Sequence, residues 1–309
     1  MYVKVLGAAA GGGSPQWNCS CGNCRRLREG TFAGTARSQV QLAISADSEC
    51  WFLVNGSPDL RFQIESFPAL HPRNSSPRQS PINGVVLTSA ELDAALGLLL
   101  LRESQPLGIY ATNTVRSLLT EDNSLFGVLR REPDQVQWHT MTPGEPLELE
   151  SIKGRLTGIR CTPVSTRGAF PAYVRPERQI QLDSAGTVIG LLIEHNSKRL
   201  AFFPAALTVR PEWLDQMEDC DAVLFDGTFW SDDELVRVRG KGKSARQMGH
   251  LPVADPDGTL ERFSSLTGPR RIFIHINNTN PMLDESSAEF ARIRDYGWEL
   301  AFDGMELCL

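Results

Sequence analysis

No stretch of the 309-residue chain stays apolar long enough to span a bilayer. The longest run, Ala94 to Leu101, falls far short of the roughly 20 residues needed. The opening Met1-Tyr2-Val3-Lys4-Val5-Leu6 reads as a strand, with no basic segment followed by a long apolar one, so no secretory leader is expected. Excess positive charge is missing too: 31 Lys and Arg stand against 37 Asp and Glu, a formal charge of −6. A dedicated nucleic-acid binder is thereby disfavoured, because no net positive field exists to displace counterions. No repeat period is visible. The loop Gly7-Ala8-Ala9-Ala10-Gly11-Gly12-Gly13 lacks the Lys-Ser/Thr ending of a phosphate loop, and no obvious helix follows it. Its glycines read better as allowing close backbone approach to a metal site. With 41% hydrophobic and 22% charged residues, the expectation is an ordinary globular, cytoplasmic protein without membrane or nucleic-acid partners.

What the chain does have is a cluster of thiols in Trp17-Asn18-Cys19-Ser20-Cys21-Gly22-Asn23-Cys24. Three soft ligands so closely spaced can converge on one point, and a tetrahedral zinc then needs one more donor. A disulfide is a poor alternative, since three cysteines leave one over and a C-x-C bridge is strained. The remaining alternative is a reduced, metal-free loop. A closed zinc site of this kind staples a loop, here at about residues 14–26, and does no chemistry. Cys50, Cys161, Cys220 and Cys308 are scattered among apolar neighbours and read as small core residues.

Strands are expected at Tyr2–Leu6, Val40–Ser45, Cys50–Val54, Gly84–Thr88, Gly108–Ala111, Gly158–Pro163, Thr187–Glu194, Arg199–Phe203, Ala222–Phe225, Arg271–His275 and Trp298–Phe302. Helices are expected at Leu60–Phe67, through the apolar segment up to Leu101, and at Thr114–Leu119, Pro211–Met217 and Ser286–Asp295. Residues 71–82 read as an exposed loop. Helices follow strand runs in both halves and no boundary cuts the chain, which predicts one layered α/β domain over 1–309.

Four spots place metal-capable or acid/base side chains just past a strand: Ser89-Ala90-Glu91-Leu92-Asp93, Asp226, His250 and His275. Strand ends are where open α/β architectures put their sites. Each has a plainer reading. Glu91 and Asp93 suit the start of a helix, Asp226 a turn before Gly227, and His275 a core histidine bonded to the asparagines after it. Together they suit a mixed His/carboxylate site for iron, manganese or zinc. His71, His139 and His195 stay unassigned.

These residues resemble the metallo-β-lactamase fold, and more closely the pyrroloquinoline quinone (PQQ) biosynthesis protein B family. The resemblance runs through Gly11 to Cys19, Leu98 to Glu103, Phe225-Asp226-Gly227-Thr228-Phe229-Trp230, Met248-Gly249-His250, His275-Ile276-Asn277-Asn278-Thr279-Asn280-Pro281 and Ala301 to Met305. It implies an αββα sandwich and a structural zinc on Cys19, Cys21, Cys24 and a fourth donor. In related phosphodiesterases that donor is a His three positions after the late active-site His. Asn278 stands there in this chain, so His275 is assigned to the zinc or to the active site, not to both. The fold's His-x-His-x-Asp-His is Ser89-Ala90-Glu91-Leu92-Asp93-Ala94 here, and Pro163-Val164-Ser165 lacks a further expected His. A two-metal hydrolase site is therefore not intact.

What the resemblance then implies is a single iron held through Glu91, Asp93, Asp226 and one His, with His250 as acid/base. The reaction would be hydroxylation of the tyrosine-derived ring of a Glu–Tyr cross-linked PQQ precursor. The alternative is a carrier or transport protein for PQQ or its precursor with a degenerate metal site; a hydrolase with an atypical metal set is a third. Carboxylates on such a substrate need cations, and Lys241, Lys243 and Arg246, with Ser89, are the expected contacts, against the plainer reading of a solvated loop. A homodimer is compatible with the sequence.

Overall fold

The computed structural model describes residues 1–73 and 77–309. Its strands are β1 (Tyr2–Gly7), β2 (Gln41–Ser45), β3 (Trp51–Val54), β4 (Ile82–Val86), β5 (Leu107–Ala111), β6 (Val136–Thr140), β7 (Leu147–Glu150), β8 (Leu156–Ser165), β9 (Ile189–His195), β10 (Lys198–Phe203), β11 (Ala222–Asp226), β12 (Arg270–Ile274), β13 (Trp298–Leu300) and β14 (Glu306–Cys308). The chain divides into two compact units interleaved in sequence: unit 1 comprises 1–6, 41–198 and 304–309, and unit 2 comprises 7–40 and 199–303.

In unit 1 a seven-stranded sheet runs in the order β14-β1-β2-β3-β4-β5-β6. Strands β3 to β6 are parallel, and β2 and β3 form the expected antiparallel hairpin. Its turn is closed by Asp47, whose carboxylate accepts from the backbone N–H groups of Glu49 and Cys50. Leu53, Val85, Ile109, Val115 and Leu118 belong to one buried cluster on this sheet. The helix Asn113–Thr120 is started by Thr112, whose hydroxyl accepts from the Val115 N–H at 3.1 Å.

The apolar segment after Glu91 departs from expectation. It is a short α-helix, Leu92–Ala95, that tightens into a 3₁₀ helix over Leu96–Leu101. The carbonyl of Ala94 accepts from Gly56 N–H instead of continuing the helical ladder, and Gly97 N–H donates to Gly56 O at 2.7 Å. A Cβ on Gly97 would stand 2.2 Å from Ser57 O, so only glycine permits this backbone contact. The loop expected over 71–82 falls partly on 74–76, outside the described residues. Strands β6, β7 and β14 were not expected. Cys308 is exposed on β14 rather than in a core, whereas Cys50, Cys161 and Cys220 are buried.

In unit 2 the strands β10 to β13 are parallel, in spatial order β13-β12-β11-β10, and bring Phe203, Phe225, Phe273 and Leu300 into register. Their near-continuous apolar sequence is that of parallel strands covered on both faces. Phe273 stacks on Trp298 at 4.0 Å between centroids, and Phe263 packs on Trp298 and Phe225. The ends of β11 and β12 present Asp226 and His275. Residues 8–10 pair with Ile276 beside this edge, which is where the glycine-rich turn meets the rest of the unit. Asp303 anchors the same turn by accepting from Ala8 N–H and Ser38 N–H.

Three α-helices among the described residues of unit 2 escaped the sequence, the shortest being Thr259–Arg262. Gly22–Glu29 carries Cys24 and ends on Gly30 in the left-handed region. Glu234–Arg239 makes the start of the basic run helical, and Gly240 closes it. Among the described residues no helix is long and apolar enough to cross a membrane.

Candidate functional site

Both groups of three or more metal-capable side chains found among the described residues lie in unit 2. The first is Cys19, Cys21 and Cys24, whose sulfurs lie within 4.8 Å of one another. The loop reaches this shape because Cys19 N–H bonds back to Gln16 O, after which the helix from Gly22 swings Cys24 underneath. Asn278 closes the open side: its Nδ2 is 3.1 Å from Cys19 Sγ, 3.2 Å from Cys24 Sγ and 3.7 Å from Cys21 Sγ. A side-chain amide also presents an oxygen on rotation by 180°, so Asn278 stands where a neutral fourth donor would be needed by a cation held on the three thiolates. The thiols are unequal. Burial pushes Cys21 up to about 11. Burial acts on Cys19 in the same sense, but hydrogen bonds from the Cys21 N–H, the neighbouring thiols and Asn278 carry it below the ordinary thiol range. Asn23 ties the helix to the late loop by donating to Asn278 O and Asn280 O.

The second group is Asp226, His250 and His275. Asp226 has no solvent exposure, and its Oδ2 lies 2.8 Å from His250 Nδ1. Burial alone would raise its carboxyl, but the positive charge available at His250, the hydrogen bond from that ring, the charge at His275 and the Thr228 hydroxyl outweigh it and hold the group low. The His250 and His275 rings stack at 5.2 Å with 22° between their planes. Gly249, at φ 89°, turns the chain so that His250 faces β11. His275 itself sits at φ 58°, an uncommon conformation for a side chain of its size. His275, which the sequence assigned either to the zinc or to the active site, is placed in this second group.

Glu91 and Asp93 belong to neither group; they lie in unit 1. Glu91 occupies the N-cap position of Leu92–Ala95 without a capping side-chain bond, and Asp93 is in that helix's first turn. Ser89 Oγ accepts from Glu91 N–H at 3.3 Å, and Tyr173 donates its phenol to Ala90 O at 2.6 Å. Of the expected substrate cations, Lys241 and Lys243 are exposed beyond Gly240. Arg246 is ion-paired with Asp257 at 2.5 Å and Asp255 at 3.9 Å.

Two residues of unit 2 that the sequence gave no reason to select stand at this edge. Thr228 touches all three members of the second group. Glu234 is buried and accepts from Thr279 Oγ1 and Trp230 N–H, both at 2.6 Å. It hides in the acidic run Ser231-Asp232-Asp233-Glu234, which reads as a solvated turn. Burial raises its carboxyl to about 7, despite those bonds. The folded protein therefore holds the Glu234 proton more tightly than the unfolded chain. The associated stability is complete below about pH 4.5 and lost as pH rises through about 7, a swing on the order of 3 kcal/mol. Glu234→Gln should accordingly cost little in urea unfolding at about pH 5 and stabilise the protein relative to the parent at about pH 8.5. An equal difference at the two pH values would contradict this.

A β-lactamase superfamily domain matches residues 50–276. The "Coenzyme PQQ synthesis protein B" of Nitrosococcus oceani is 42% identical over 318 residues, covering 100% of both chains. Among solved structures, Zn(2+)-bound PqqB from Methylobacterium extorquens superposes with a TM-score of 0.90 at 37% identity, covering 100% of each. A diphosphatase of the PhnP family, at 18% identity and a TM-score of 0.65, shares the fold, covering 100% of this chain and 97% of that one.

Proposed function

The chain belongs to the coenzyme PQQ synthesis protein B family and has the α/β metallo-β-lactamase fold; from that premise we propose that it hydroxylates the tyrosine-derived ring of the cross-linked Glu–Tyr precursor of PQQ at an iron site. The observation that carries the proposal is the second group: Asp226 and His275 at the ends of adjacent parallel strands, with His250 brought to them from the loop after Gly249, without the histidine-rich set of a two-metal hydrolase. Imidazole suits iron(II), which when bound would supply dioxygen activation, whereas the Asp226 carboxylate, with two donors on each oxygen, backs the site and does not hold the metal. His275 is the proposed protein ligand at this edge. His250, backed by the buried Asp226, holds or accepts a proton near the reacting group. Lys241 and Lys243 supply mobile cations for the carboxylates of a small amino-acid substrate. A separate zinc sits on Cys19, Cys21, Cys24 and Asn278 and fixes the loop between them. Such a protein works in the cytoplasm.

One atom of O2 enters the ring and the other leaves as water at the expense of two electrons, so the test is anaerobic iron(II) loading followed by oxygen, precursor and a chemical two-electron reductant such as ascorbate. Oxygen uptake matched by a product heavier by one oxygen atom supports the reading, and no turnover with iron fully bound overturns it. Iron titration of Glu91→Gln and Asp93→Asn decides the part of those two carboxylates. The carrier reading has one observation in its favour, since the Asp226 carboxylate already has two donors on each oxygen. It requires precursor or PQQ to bind with undiminished affinity after iron removal.

A further inference from the structure

Asp226 and Thr228 do more than stand beside the histidines. Asp226 Oδ1 accepts from Thr228 N–H at 3.0 Å and faces Thr228 Oγ1 at 2.6 Å. Its Oδ2 accepts from Ala206 N–H at 3.0 Å and faces His250 Nδ1 at 2.8 Å. An ionised carboxylate offers about four acceptor directions, and all four are in use here. Thr228 Oγ1 is in turn 2.7 Å from His275 Nδ1, 2.8 Å from His275 O and 3.1 Å from His250 Nδ1.

A hydroxyl has one proton. Of the oxygens within hydrogen-bond distance of it among the described residues, the fully buried Asp226 carboxylate is the strongest acceptor and the closest, and the His275 carbonyl is the other. Neither choice leaves a proton for His275 Nδ1, so that nitrogen must be the donor toward Thr228. The same reasoning applies to His250, because an anion 2.8 Å from Nδ1 requires a proton between them. We infer that Asp226 and Thr228 form a hydrogen-bond hub that sets both His250 and His275 in the Nδ1–H form and directs the Nε2 lone pair of each away from the hub.

With the rings nearly parallel and both Nδ1 atoms gathered on Thr228, the Nε2 atoms lie on the opposite edge of each ring. His275 Nε2 is then the nitrogen suited to hold a metal, and His250 Nε2 the one suited to take a proton. Asp226 is a positioning residue that acts through the two rings, with Thr228 as the relay to His275. A ligating or basic histidine gains by having its far nitrogen fixed in this way, since ring orientation and tautomer are settled before anything binds.

The Nδ1–H form is the less common one for a free neutral imidazole, which makes it a sharp marker. The experiment is long-range proton–nitrogen NMR of the full-length protein labelled at its five histidines, near pH 8.5, metal-depleted and zinc-loaded. Single His→Gln variants assign the signals. The expected result is a protonated Nδ1 for both His250 and His275 in both preparations. Thr228→Val should release His275 to the Nε2–H form and weaken cobalt(II) binding at this edge by about tenfold or more. Thr228→Ser, which keeps the hydroxyl, should restore both. Nε2–H signals for the two histidines of the parent protein would overturn the inference whether or not the valine variant folds. A valine variant that folds with tautomer and cobalt affinity unchanged would overturn the relay. None of these readouts depends on the protein being a hydroxylase.

Discussion

Cys24→Ser is expected to release one zinc per chain and lower the melting temperature by about 10 °C, corresponding to several kcal/mol for a protein of this size. Cys24 is fully buried, with its sulfur 3.2 Å from the Asn278 amide, so no solvent can replace the lost ligand. A serine hydroxyl is a poor zinc donor, and the remaining two thiols and amide would hold a metal weakly. The loop consequence follows from Asn23. It donates to Asn278 O and Asn280 O, while Asn280 Nδ2 donates to Gly227 O and Thr228 O. Losing the zinc thus loosens a chain of bonds that reaches from the cysteine loop to the end of β11. Metal analysis and thermal melts check the first part. The parent, stripped by a strong chelator, should melt where the variant does. A variant that keeps its zinc and its melting temperature would show that the metal binds elsewhere.

That chain of bonds shows why some of this protein could be read from its sequence and some could not. The strands β11 and β12 were legible because parallel strands covered on both faces are apolar at every position, Ala222 to Phe225 and Ile272 to Ile274. Strands β6, β7 and β14 were not, although Val136-Gln137-Trp138-His139 and Leu147-Glu148-Leu149-Glu150 do alternate apolar with polar residues, because runs of three to five residues with this mixed composition carry little periodic signal against the neighbouring loops. The segment Leu92 to Leu101 has a helical composition, and it is bent into a 3₁₀ turn by backbone contacts with Gly56 and Ser57, forty residues away in sequence and invisible locally. The helix from Gly22 to Glu29 lacks both a capping side chain and an apolar face broad enough to announce it.

At the site, residue type and spacing were enough to pick out the three cysteines and to place Asp226 and His275 at strand ends; His250, expected just past a strand as well, instead follows the 3₁₀ turn Arg246–Met248 and Gly249. The role of Asn278 was only half legible. Its place three residues after His275 marked it, but only folding brings its amide over the sulfurs. Thr228 and Glu234 went unselected for a common reason: a threonine after a glycine, and a glutamate after two aspartates, acquire meaning only when buried. Glu91 and Asp93 show the opposite limit. Their position after β4 in sequence suits ligands and helix starts equally, and the structure puts both at a helix start.

The last expected result separates the two metals. His275 lies at φ 58°, so replacing it by alanine would confuse the loss of a ligand with the cost of holding a Cβ-bearing residue in the left-handed region. Asparagine tolerates that conformation best among ordinary residues, which makes His275→Asn the cleaner change. The variant should melt within a few degrees of the parent, because β12 and the bonds of Asn278 and Asn280 are untouched. It should keep the zinc of the cysteine loop, since Asn278 rather than His275 faces the three sulfurs. Iron affinity should fall by about a hundredfold, equivalent to about 3 kcal/mol, with hydroxylation lost in proportion. Metal content by element gives the answer directly. If zinc disappears and iron remains, His275 is the fourth ligand of the cysteine site after all, and the pair Asp226 and His250 must carry the active-site chemistry without it.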